Sequence, residues 1–318
     1  MDTVLEARGL RVLYRTKRGP VRAVDGVSFD VALGETLGIV GETGCGKSTL
    51  AKAILGILPP GTIIEGSIRF EGVDLATLGV REMRPMRGKD IALIFQDPTT
   101  RLDPLMTIEE HFHETIRAHE DASAKEARER ARKALASMGM PDTRLQNFPH
   151  ELSGGMRQRI MIAMALVMKP RLLVADEPTT SLDVIVEAQI LEILEDLKRA
   201  YKMSLLLITH NLGIVAEVCD RVGVMYAGKI VELGTVRDVF KRPIHPYTRG
   251  LLASIIHLDS LELSSIDGLP PDLVVPPPAC RFHPRCPHAK EICWTQDPSW
   301  QEYRPGHHAA CHFGSDFL

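Results

Sequence analysis

Thr36-Leu-Gly-Ile-Val40 runs directly into Gly41-Glu-Thr-Gly-Cys-Gly46-Lys47-Ser48-Thr49, and the reading of this stretch decides the fold. Its first five residues are apolar and β-prone. Leu50, Ile54, Leu55 and Leu58 follow at helical spacing. A loop fitting G-x4-G-K-[ST] is therefore expected between a strand and a helix, the context that gives this motif its meaning. Gly41, Gly44 and Gly46 allow backbone conformations that a Cβ forbids. Successive N–H groups can then point inward at a phosphate, with the helix N-terminus adding a favourable dipole. Lys47 supplies a cation for the β- and γ-phosphates of ATP, and the Ser48 hydroxyl, followed by Thr49, can ligate Mg²⁺. The bland alternative is a glycine-rich turn with a coincidental Lys-Ser, and the flanking strand and helix argue against it.

Working outward, Leu172-Leu-Val-Ala175 is an apolar strand that ends in Asp176-Glu177. Ligands sit at strand ends in such sheets. Asp176 is suited to hold Mg²⁺ through water, and Glu177 to polarise an attacking water. Two carboxylates could equally solvate a strand end, but that reading is weak beside a phosphate loop. Leu152-Ser153-Gly154-Gly155 precedes a long helix and makes a second anion nest. One lysine-bearing loop has little use for two nests in a single site.

Strand candidates at 91–95, 172–175 and 205–209 alternate with helices such as 185–201, so a mostly parallel α/β sheet is expected. Short strands lead the chain, and Lys125–Ala136 belongs to a charged helical insertion. Val222–Met225 and Lys229–Leu233 flank Tyr226–Gly228 and read as a hairpin. Met156, Met161, Met164 and Met168 recur at near-helical spacing, which reads as core packing, and Cys219 reads as core within a helix over 214–220.

The 318 residues carry a net charge of −3, which offers no basic stripe for nucleic acid. No apolar run reaches the length of a membrane span, and MDTVLEARGL has no signal-peptide character. The chain is expected to be cytosolic, with another chain holding it at any membrane where it works. Beyond about Phe240 the composition changes. Gly268–Pro278 is an extended, proline-rich connector, and four of the six cysteines follow it. A reducing cytosol argues against disulfides, leaving metal binding or chance.

Together these residues resemble the ATP-binding subunit of an ABC transporter, over residues 4–240. The resemblance rests further on the signature segment Leu152-Ser-Gly-Gly-Met-Arg-Gln158, a Q-loop Gln96 in Phe95-Gln-Asp-Pro98, a D-loop Ser181-Leu-Asp183, and a switch His210 after the 205–209 strand. It implies a P-loop NTPase fold over 1–240, with an antiparallel N-terminal β subdomain and a helical subdomain at about 97–165, and an extension over 241–318. It also implies head-to-tail pairing of two such subunits, so that Ser153, Gly154 and Gly155 of one cover the ATP in the other's loop. Gln96 would then sense Mg²⁺ and water and couple to the membrane subunits, His210 would hold the γ-phosphate, and Asp183 would link the two sites. Tyr14 falls where the family stacks an aromatic on adenine, with a surface tyrosine as the alternative. Met156 stands where many relatives carry Gln, and Cys45 where Ser is common; neither removes a catalytic group.

Pro243-Ile-His-Pro-Tyr-Thr248 and Arg281-Phe-His-Pro-Arg-Cys-Pro287 resemble the dipeptide, oligopeptide and nickel importer branch. In that branch Cys280, Cys286, Cys293 and Cys311, spaced C-x5-C-x6-C-x17-C, would hold a [4Fe–4S] cluster. Four thiolates and a following proline suit that chemistry. Zinc, with help from His283, His288 or His312, remains open at this stage, as do unliganded thiols. The partners implied are a second ATPase subunit (expected to be a paralogue), two transmembrane permease subunits and an extracytoplasmic substrate-binding protein, with this chain peripheral on the cytoplasmic face. Peptide cargo rests on the branch, where nickel or oligosaccharides are also carried. A soluble ABC ATPase acting on nucleic acid is disfavoured by the single cassette and acidic balance. A regulator that binds ATP without hydrolysing it is disfavoured by Asp176, Glu177 and His210.

Overall fold

The computed structural model describes residues 2–95, 101–179, 184–254 and 266–318. The chain separates into two compact units, one of 1–4, 32–35 and 78–206, the other of 5–31, 36–77 and 207–318.

In the second unit, β1 (Thr3–Thr16), β2 (Gly19–Ala32), β4 (Ile63–Phe70) and β5 (Val73–Asp74) form a sheet in the order β2-β1-β4-β5. β1 and β2 are 14 residues each rather than the short strands expected. For β1 the reason lies at Gly9, whose φ of 54° accompanies a shift in the register with β4 between Arg8 and Arg11. A bulge there carries one strand through what reads as a break.

A second sheet of this unit has the order β11-β12-β10-β9-β3, made of β3 (Thr36–Val40), β9 (Arg221–Tyr226), β10 (Lys229–Thr235), β11 (Gln301–Arg304) and β12 (His307–Ala309). β3 and β9 run parallel, and β9 and β10 form the expected hairpin. Its two turn residues, Ala227 and Gly228, have φ of 46° and 84°, the left-handed pair that a tight hairpin needs. β11 and β12 come from the extension, which therefore extends the sheet rather than trailing from it. Tyr247 and Phe282 of the extension are buried in one core cluster with Val40, Val215, Val224 and Tyr226.

α1 (Lys47–Ile54) stops short of the predicted Leu58. Leu55 caps it, and Gly56 at φ 60° turns the chain away before Pro59. α7 (Leu212–Val218) likewise ends one residue before Cys219, which is half-buried against Gly38. α8 (Val236–Lys241) and α9 (Pro246–Ala253) follow β10.

In the first unit, β6 (Ile91–Ile94) pairs in parallel with β7 (Leu172–Asp176), and β8 (Ser204–Ile208) begins beside Arg171. α2 (Val80–Met83) precedes them, and α6 (Val184–Tyr201) leads into β8. The charged insertion folds as α3 (Ile108–Arg117), α4 (Ala124–Ser137) and α5 (Gly154–Leu166). Thr107 with Glu110 and Ser123 with Glu126 form reciprocal capping boxes that start α3 and α4. Spacing of four places Ile108, Phe112 and Ile116 on one buried face, and Ala127, Ala131 and Leu135 on another. Met161 and Met168 are buried and Met156 and Met164 half-buried, in keeping with a packing role.

Candidate functional site

The phosphate loop joins β3 to α1, where the sequence puts it. Gly41, Gly44 and Gly46 have φ of 155°, 83° and 111°. A Cβ on Gly41 would stand 2.0 Å from the Met225 carbonyl oxygen, and one on Gly46 2.1 Å from that of Ala23. Glycine is obligatory at both positions for space as well as for conformation. Gly46 caps α1 in the left-handed region and has no side chain to cap the helix, as suits an anion-binding helix end.

Lys47 is 6% exposed, and its ammonium donates to the carbonyls of Gly41 at 2.7 Å and Glu42 at 3.1 Å. Burial raises the pKa of the neighbouring Cys45 thiol, against the lowering effect of Lys47. Cys45 is thus a small neutral filler under the loop, the bland reading of that position. Tyr14 is half-buried and its hydroxyl donates to Thr49 Oγ1 at 3.1 Å, next to Ser48. His210 is exposed just beyond β8.

In the first unit, Asp176 is 8% exposed at the end of β7. Glu177 follows at φ 49°. That conformation is strained for a residue with a Cβ, and such strain gathers at functional positions. Ser153 is the N-cap of α5, accepting the Met156 N–H at 3.3 Å, and Ser153 and Gly154 are exposed. The Gln158 amide, on the buried face of that helix, donates to the Pro178 carbonyl. The signature helix and the carboxylate segment are thereby fastened together, a link that sequence reading missed. Gln96 and Asp183, read as Q-loop and D-loop residues, lie outside the described residues.

The second unit also holds a group that sequence reading did not find. The Glu42 carboxylate accepts two hydrogen bonds from Arg285, at 2.8 and 3.1 Å. The Glu42 N–H donates to the Tyr247 hydroxyl at 3.0 Å. Burial raises the Tyr247 phenol far above its usual range, so it stays neutral and available as an acceptor. Phosphate loop and extension are thus hydrogen-bonded to each other, although 243 residues separate Glu42 from Arg285.

Cys280, Cys286, Cys293 and Cys311 line one apolar pocket with Phe282, Phe313 and Phe317; His283, His288 and His312 border it. Burial pushes Cys280 up to about 11 and Cys311 to about 12, with Cys286 also raised. Their backbones are pinned: Cys280 N–H donates to the Cys293 carbonyl at 3.2 Å, and the Tyr303 hydroxyl to that of Cys311 at 2.8 Å. Even so, among the described residues no group of three His, Cys, Asp or Glu side chains could hold a metal ion. The expected metal centre is therefore not formed among the described residues.

Among the described residues no helix is long and apolar enough to cross a membrane. The ABC transporter family matches residues 24–180, and the oligopeptide/dipeptide transporter C-terminal region matches 231–293. The chain is 50% identical to the dipeptide transport ATP-binding protein DppD of Bacillus subtilis, over 92% of this chain and 89% of that protein. It is 47% identical to the oligopeptide transport ATP-binding protein OppD of Salmonella typhimurium, over 98% and 93%. Among solved structures it resembles the dimeric ATP-binding cassette MJ0796 in a post-hydrolysis state bound to ADP and Pi. There the TM-score is 0.67 at 26% identity, covering 73% of this chain and 99% of that one.

Proposed function

The chain belongs to the ATP-binding proteins of ABC transporters, and on that premise we propose that it is the ATP-hydrolysing subunit of an importer of dipeptides or oligopeptides. The observation that carries this reading is one chain uniting a phosphate loop with the oligopeptide/dipeptide C-terminal region, at 45–50% identity to dipeptide and oligopeptide ATPases along nearly its whole length.

Its own residues supply the chemistry as follows. Gly41–Thr49 bind the phosphates of ATP, with Lys47 on the β- and γ-phosphates. Ser48 and Gln96 would ligate Mg²⁺, and Asp176 would help to hold it. Tyr14 stacks on adenine. Glu177 polarises the attacking water, with His210 and Gln96 holding the hydrolytic geometry. Ser153, Gly154 and Gly155 reach the γ-phosphate held by another subunit, and Asp183 links the paired sites. Two solved structures of the matching cassette MJ0796 are dimeric, which supports pairing, and a paralogue is the partner we favour. Two permease subunits and a substrate-binding protein complete the assembly, with this chain on its cytoplasmic face. ATP binding closes the pair and hydrolysis resets it, through differential affinity for the closed state. We place the boundary between ATPase domain and extension near residue 240.

We assign a [4Fe–4S] cluster to Cys280, Cys286, Cys293 and Cys311. The reading rests on the branch resemblance and on the four thiols lining one apolar pocket, since four thiolates can satisfy four irons. Bound there, the cluster would supply a covalent cross-link for the extension. The transport reading is tested by reconstituting the chain with its permease and binding proteins in proteoliposomes. ATP hydrolysis should rise when peptide-loaded binding protein is added, and hydrolysis indifferent to every peptide would overturn the assignment of cargo.

A further inference from the structure

Glu42 is the second residue of the phosphate loop, and groups from the extension hold it on both sides. Arg285 forks onto its carboxylate with a side chain only 6% exposed, at 2.8 and 3.1 Å. The same guanidinium is locked from behind. Its Nε donates to the Asp267 carbonyl at 2.9 Å and its Nη2 to that of Ile266 at 3.1 Å, and it lies 5.8 Å from the Tyr226 ring centre. A bidentate, pre-ordered pair of this kind fixes orientation as well as distance.

Tyr247 fixes the backbone of the same residue by accepting the Glu42 N–H. Tyr247 is itself set by its neighbours: its N–H donates to His245 Nδ1 at 3.0 Å, and the His245 N–H donates to Glu232 at 2.8 Å. The Pro-Ile-His-Pro-Tyr stretch therefore ends on the phosphate loop. The carbonyl of Glu42 in turn accepts from the Lys47 ammonium. A shift at Glu42 would move the lysine that meets the phosphates.

We propose that Arg285 and Tyr247 are positioning residues for nucleotide binding, through which the C-terminal extension sets the shape of the phosphate loop and thereby its affinity for ATP. The inference rests on the ATP reading of that loop. A loop held in its binding conformation loses less freedom when the ligand arrives, so release of Glu42 should appear as weaker binding.

The test is Mg·ATP binding and turnover by the full chain in its transporter complex. Arg285→Ala and Glu42→Gln should each raise Kd and KM for ATP roughly tenfold, with the loss in KM rather than in kcat. Arg285→Lys should recover part of the affinity. The double variant Arg285→Ala/Glu42→Gln should be no worse than either single one, because both break the same pair. If Arg285→Ala does not fold, Glu42→Gln leaves the extension intact and carries the test. Unchanged ATP affinity in Glu42→Gln, or fully additive losses in the double variant, would overturn the proposal. Failure of the unaltered complex to bind ATP, or full ATP affinity in Lys47→Ala, would instead overturn the ATP reading itself.

Discussion

His307 Nε2 stands 2.8 Å from Glu232 Oε1 with both side chains wholly buried, so the last strand of the chain is fastened to β10 by an interior pair. The same carboxylate accepts the N–H groups of Ile244 and His245, each at 2.8 Å. A buried carboxylate is tolerated only with such compensation. Here one side chain gathers β10, the start of α9 and the tail strand β12.

Glu232→Ala should therefore destabilise the protein by about 3–5 kcal/mol, the range for breaking a buried pair and orphaning its partners. Glu232→Gln should cost less, since an amide oxygen still accepts. Denaturant unfolding measures both. A loss below about 1 kcal/mol in Glu232→Ala would mean that the two strands and the helix do not depend on this carboxylate.

His245 predicts a pH dependence. Burial, opposed by the Glu232 charge, holds its pKa at about 4 instead of 6.5. Its Nδ1 must stay unprotonated to accept the Tyr247 N–H. Between those pH values the unfolded chain binds a proton that the folded chain refuses. The stability is complete above about pH 6.5 and drains as pH falls toward 4, by about 3 kcal/mol over the window. In His245→Asn, which can accept the same N–H but does not titrate, unfolding curves between about pH 7 and pH 4.5 should show a shallower slope. An identical slope would assign the acid sensitivity to other groups.

The four-cysteine pocket makes an analytical prediction. Chain purified without oxygen should contain about four irons and show cluster absorbance, and Cys286→Ser should lose both. The extension should then become susceptible to proteolysis. One zinc per chain and no iron would contradict the cluster assignment.

The phosphate loop was legible because its glycines are demanded by the local backbone, with φ of 155°, 83° and 111° at Gly41, Gly44 and Gly46. The hairpin at Ala227-Gly228 was legible for a similar, short-range reason. The length of β1 was not, because a bulge at Gly9 resembles a strand end. The early stop of α1 was misjudged because Leu55 and Leu58 keep helical spacing past the point where Gly56 turns. The tie between Arg285 and Glu42 left no local trace. A single Arg before Cys286 and a single Glu in the loop become partners only when the extension folds into the sheet. Glu232 was hidden in the same way, as one acidic residue within an apolar hairpin strand.

Hydrolysis at Glu177 is the claim on which the motor reading depends, and the Glu177→Gln variant in the assembled complex tests it most directly. It should bind ATP at least as tightly as the unaltered chain, hold the paired ATPases together, and turn over on the order of a hundredfold more slowly. Turnover equal to that of the unaltered complex would contradict the account.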